Sequence, residues 1–132
     1  MIGVDTNVLA RLIAKDDLRQ MEEALAVIRA ARKNGHFIYV SQIVLCELSW
    51  LLRSRYKFTK QQVTDALENI ILGKDFVIEE RDIVHEVFDL YRQSKADFAD
   101  ILMSLRNQKA GCKHTLTFDA SAKKVRGMKK LG

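Results

Sequence analysis

The chain opens Ile2-Gly3-Val4-Asp5-Thr6-Asn7-Val8-Leu9. Ile2, Gly3 and Val4 are small or β-branched and read as a short buried strand, whereas Val8, Leu9, Leu12 and Ile13 recur at helical spacing. The polar triplet between them therefore marks a strand-to-helix junction. It places Asp5 at the C-terminal edge of the strand, where open α/β sheets put ligands and chemistry. A carboxylate there either caps the helix or takes part in a site. The choice depends on whether other acids reach the same edge.

Working outward, strands alternate with helices. Asp16 and Asp17 open a long helix to about residue 34, with Leu18, Met21, Leu25, Ile28 and Ala31 on its apolar face and Gly35 as its stop. Phe37 to Val40 reads as a second strand. Ser41 then caps a helix to about residue 55, and Thr59 with Gln62 has the spacing of a capping box for the next, stopped by Gly73. Phe76 to Ile78 is a third strand, followed by a helix from about 81 to 94. Asp97 opens a helix to about residue 110, and His114 to Phe118 is a fourth strand running into Asp119. A short basic helix closes the pattern, and the basic tail leaves open a short fifth strand near Leu131. Such alternation implies a parallel sheet covered on both faces.

The length of 132 residues suits a single domain spanning 1–132. Hydrophobic residues at 48% and charged residues at 30% describe a globular chain. No run approaches the roughly 20 apolar residues that span a bilayer, and no signal peptide is evident, so a cytoplasmic protein with no membrane partner is expected. Cys46 and Cys112 are too isolated for a disulfide framework; Cys46 reads as a small core residue and Cys112 as a loop thiol. The three histidines lack zinc-site spacing. There is no proline, so breaks come from glycines and caps.

Five acids fall at strand ends or early in the helices: Asp5, Glu47, Asp97, Asp100 and Asp119. Taken singly, the aspartates are simple caps or dipole partners. Glu47 shares a stripe with Ile43 and Leu51, which predicts a carboxylate on a buried face. Burial there is costly unless the carboxylate is paired or bound to metal. Carboxylates that converge repel one another, so either some stay protonated or a divalent cation holds them. Oxygen donors without His or Cys select magnesium or manganese. With those five acids set aside, the balance of 22 basic against 17 acidic residues becomes +10. An acidic pit in a basic surface suits metal-dependent cleavage of a polyanionic strand.

Four pieces carry a family likeness, in order: Val4 to Leu9; Ser41 to Leu52 with Glu47; Ala96-Asp97-Phe98-Ala99-Asp100-Ile101-Leu102; and Leu116-Thr117-Phe118-Asp119. Together they resemble the PIN-domain family, most closely the VapC-type toxins of bacterial toxin–antitoxin pairs, over nearly the whole chain. The resemblance implies an α/β, three-layer fold, with a central parallel sheet of four to five strands in the order 3-2-1-4-5 flanked by helices. It implies an endoribonuclease dependent on Mg2+ or Mn2+, with one or two ions. Carried over by motif, Asp5, Glu47, Asp100 and Asp119 are the catalytic acids and metal ligands, with Asp97 an accessory ligand. Thr6, Asn7 and Thr117 are polar supports, for which turn and cap chemistry is the simpler alternative. RNA substrate, a cognate antitoxin that blocks the site and a homodimer are implied likewise. The segment after Asp119 (Ala120 to Lys124) departs from the family in lacking an acid and an aromatic residue.

Other readings fit less well. A receiver domain needs an acid pair after the first strand, and a dehalogenase-like phosphatase needs Asp-x-Asp where Asn7 stands here. A non-catalytic PIN-like RNA-binding module would be marked by loss of acids, and all are present.

Overall fold

The computed structural model describes residues 1–132, apart from the side chain of Ala122. The chain divides into two compact units, Met1–Arg81 and Asp82–Gly132.

In the first unit, β1 (Ile2–Gly3), β2 (Ile38–Val40) and β3 (Phe76–Ile78) form a parallel sheet in that order. Ile2 lies opposite Ile38, and Val40 opposite Ile78. Parallel neighbours need long crossovers, and each crossover here is a pair of helices. α1 (Thr6–Ala14) and α2 (Leu18–Lys33) join β1 to β2, and α3 (Gln42–Ser54) and α4 (Lys60–Ile71) join β2 to β3. Cap chemistry sets all four starts: the side chains of Asp5, Asp17, Ser41 and Thr59 each accept a backbone N–H, and Thr59 with Gln62 completes a capping box. Buried Leu9, Val40, Leu45, Leu48, Val63 and Leu67 supply much of the core. Gln42 is buried too. Its backbone N–H donates to Glu79 Oε1 at 2.8 Å and its amide to the Glu79 carbonyl at 3.2 Å, which ties the start of α3 to the end of β3.

The second unit holds α5 (Arg81–Arg92), α6 (Phe98–Lys109), β4 (Thr115–Thr117), a 3-10 turn (Ala120–Lys124) and β5 (Met128–Lys130). β4 and β5 are parallel, with Thr115 opposite Met128 and Thr117 opposite Lys130. Tyr91 of α5 meets Phe98 of α6 edge-on, their ring centres 5.7 Å apart. The buried Ser104 hydroxyl donates to the Arg126 carbonyl at 2.6 Å. This bond holds the turn into β5 against α6.

Four expectations are corrected. The neighbours 3-2-1 and 4-5 are present and the fifth strand forms at Met128–Lys130, but a three-stranded and a two-stranded sheet replace the single sheet. β1 contributes only Ile2 and Gly3 to a ladder, and both are exposed rather than buried. On α2, Leu18 is exposed, and the buried residues are Ala24 and Ala31; small side chains seat that helix. Cys46 is half-buried rather than core. Among the described residues, no helix is long and apolar enough to cross a membrane.

Two glycines test the packing. Both have positive φ, +69° at Gly35 and +90° at Gly127, but a Cβ on Gly35 meets open space, whereas one on Gly127 falls on the Gln108 amide and within 2.6 Å of Ser104 Oγ. Gly35→Ala is expected to cost about 1 kcal/mol from backbone strain alone. Gly127→Ala should cost at least about 2–3 kcal/mol, because displaced side chains add to the strain. Urea unfolding of the two variants checks the order.

Candidate active site

Three of the five acids sit in the second unit. Asp97 occupies the cap position of α6 yet makes no side-chain capping bond, and Asp100 lies in the first turn of the same helix. Asp119 follows β4. A cavity of about 150 Å³ opens there, lined by Asp100, Thr117, Asp119 and Ser121 with Met103 and Met128. Asp100 is half-buried. Its loss of solvent, and then the negative charges of Asp97 and Asp119, push its carboxyl above the usual range.

Asp119 goes the other way. The Ser121 backbone N–H donates to its Oδ1 at 2.8 Å, and this bond, then the Ser121 hydroxyl, holds the carboxyl below its ordinary range, with Lys124 adding its charge. The Asp119 N–H in turn donates to Thr117 Oγ1 at 3.1 Å. Thr117 therefore acts on the backbone that aims Asp119. The part played by Ser121 was not foreseen, although Asp-x-Ser spacing is the signal for an Asx turn.

The first unit carries the other two acids. Asp5 accepts the Val8 N–H through Oδ1 at 3.2 Å, so it is a cap whose second oxygen has no part in that bond. Thr6 beside it is buried, and its hydroxyl finds no partner among the described residues. Asn7 is exposed. Glu47 is exposed as well, contrary to the expectation of a buried stripe. On α3, Ile43 and Trp50 are 71% and 68% exposed, while Val44, Leu45, Leu48 and Leu52 form the buried face. Helical spacing correctly joined Glu47 to an apolar stripe, but that stripe faces outward.

Among the described residues, no three His, Cys, Asp or Glu side chains converge closely enough to hold a metal ion. In kind, the residues fit one. The donors are carboxylates, the ligands that magnesium and manganese take. The charge crowding on Asp100 is the repulsion a cation relieves, and an unpartnered buried hydroxyl adjoins Asp5.

Residues 2–128 match the sequence profile of the PIN domain family. A VapC ribonuclease of Aquifex aeolicus (strain VF5) is 25% identical over 122 residues, a span covering 92% of this chain and 90% of that protein.

The raised Asp100 pKa has a definite sign for stability. The folded state holds the proton more tightly than the unfolded chain, so ionised Asp100 destabilises the fold above its folded pKa, and the effect vanishes below the unfolded value of about 4. In EDTA, Asp100→Asn should raise the melting temperature at pH 7 by about 2 °C, with the gain closing as the pH falls to about 4. Circular dichroism melts across that range check it. A lower melting point at pH 7 would mean that the carboxylate has a stabilising partner.

Proposed function

This chain belongs to the PIN-domain family, and from that premise we propose that it is a metal-dependent endoribonuclease, the toxin of a toxin–antitoxin pair. The observation that carries the reading is the cavity at the start of α6 and the end of β4, which half-buried Asp100 and Asp119 both line and where the charges of Asp97 and Asp119 crowd Asp100. A fold gains nothing from such repulsion. A nuclease that gathers a divalent cation does.

Asp5, Glu47, Asp100 and Asp119 are assigned as ligands and catalytic acids, with Asp97 accessory. The second unit's geometry supports three of these assignments, and the matching motifs support Asp5 and Glu47. Magnesium or manganese, as one or two ions, supplies charge stabilisation and an activated water for phosphodiester hydrolysis when bound. The protein's own part is to hold the carboxylates in place. The Ser121 N–H and the Thr117 hydroxyl orient Asp119. Asp5 is fixed by its bond to Val8, with Thr6 and Asn7 as polar neighbours. The family likeness further supports an RNA substrate, a cognate antitoxin, a homodimer, a cytoplasmic location and one functional domain over residues 1–132. A non-catalytic RNA-binding role is the competing reading.

Cleavage assays separate the two. Purified protein should cut RNA with magnesium or manganese, lose activity in EDTA, and lose at least about a hundredfold in Asp5→Asn or Asp119→Asn. Equal cleavage in every lane, or none in any, removes the metal-nuclease reading. Glu47→Gln gives a second test. Because Glu47 is exposed, stability should stay within about 0.5 kcal/mol in EDTA, while the rise in melting temperature on adding manganese is lost. A large destabilisation without metal would make Glu47 structural.

A further inference from the structure

The ring of Phe118 stands 79% exposed, immediately before Asp119 in the chain. Leu116, two residues earlier on β4 and hence on the same side of an extended chain, is 58% exposed. Lys129 of β5 lies directly opposite Leu116. The ladder closes at Thr117 and Lys130, where the Leu131 N–H donates to the Thr117 carbonyl at 2.7 Å. An apolar and aromatic strip therefore runs along this two-stranded ribbon up to the acids.

Charge decides what such a strip is for. Residues 113–132 hold six cations (Lys113, Lys123, Lys124, Arg126, Lys129 and Lys130) and one acid, Asp119, while residues 1–112 are balanced. The whole formal +5 of the chain thus resides in this terminal segment, and all six cations are exposed. Protein interfaces are depleted in lysine, so a surface this rich in it points first to a polyanion. An open ring among lysines is the construction used for single strands, where cations follow the phosphates and bases stack on the aromatic face. Duplex RNA offers no free base face; it is read by shape and by backbone contacts.

We propose that Phe118 is a stacking platform for an unpaired base and that Lys123, Lys124 and Lys129 follow the flanking phosphates. The segment thereby selects single-stranded or looped RNA and lays it against Asp119. The inference rests on the ribonuclease reading and deepens it by naming the residue that holds a base beside Asp119.

Binding in EDTA tests it without cleavage. The probe is a short labelled oligoribonucleotide carrying 2-aminopurine, used alone and annealed into a duplex, with the intact protein. Wild type should bind the single strand at least about tenfold more tightly than the duplex and quench the 2-aminopurine. Phe118→Ala and Phe118→Leu should each weaken binding about tenfold or more and lose the quench, with unchanged thermal melts, while Phe118→Trp keeps both. Lys123→Gln with Lys124→Gln should flatten the log–log salt slope by about 1.4. If Phe118→Leu binds like wild type, or wild type binds strand and duplex alike, the platform is overturned. When the protein still cuts RNA, that result leaves the ribonuclease reading intact. Binding as expected with no metal-dependent cleavage overturns the ribonuclease reading and keeps the platform. Wild type that binds no RNA in EDTA overturns the platform, and the cleavage assay with metal decides the ribonuclease reading separately.

Discussion

Three residues of β2 hold the first unit together. The Ile38 N–H donates to the Asp75 carbonyl at 2.9 Å, the Val40 carbonyl accepts from Glu79, and on the other side Phe37 and Tyr39 accept from Ile2 and Val4. Every one of these bonds joins parallel strands. Parallel pairing makes the strand ends point one way, so the residues following β1, β2 and β3 all leave from the same edge. Asp5, Ser41 and Glu79 stand at those exits. Two of them cap helices, and the third accepts the Gln42 N–H that begins α3. Helix placement and acid placement thus follow from one pattern of backbone bonds.

The second unit shows what such an edge costs when acids gather on it. Asp97 stands where a capping side chain would satisfy the first N–H groups of α6, but it makes no such bond. Asp100 gives up solvent among like charges. Asp119 alone is well served, by Ser121 and Lys124. Two unfavourable choices within four residues, beside a residue kept anionic, are the local conflict expected where function overrides stability. The exposed Phe118 adds a third.

Much of this was legible in the sequence. Cap residues located the starts of α1 to α4 because capping is local chemistry, settled within four residues. β1 to β4 were found because each is a short apolar or β-branched run between turn signals, whereas the basic β5 was only left open. Two things were not legible. The spacing of Ile43, Glu47 and Leu51 says that they share a side of α3, yet only tertiary packing decides which side turns inward, and Leu45, Leu48 and Leu52 took that place. The division into a three-stranded and a two-stranded sheet was not legible either, because residue type alone does not reveal which strands pair. Among the site residues, the position of Asp97 and Asp100 at the start of a helix was readable. The loss of solvent that makes Asp100 unusual was not, because it comes from the fold around it.

The brevity of β1 also bears on how the protein is made. Its two residues are made well before their hydrogen-bonding partner, which does not exist until Phe37 to Val40 have been synthesised. No hairpin can shelter the strand in the interval, because parallel pairing rules one out. The nascent chain can assemble α1 and α2 early from local contacts, but the edge that displays Asp5 has to wait for β2. Contacts that distant in sequence form late and slowly. A growing chain therefore carries Asp5 well before it has a formed edge to present it, since β2 lies more than thirty residues further on.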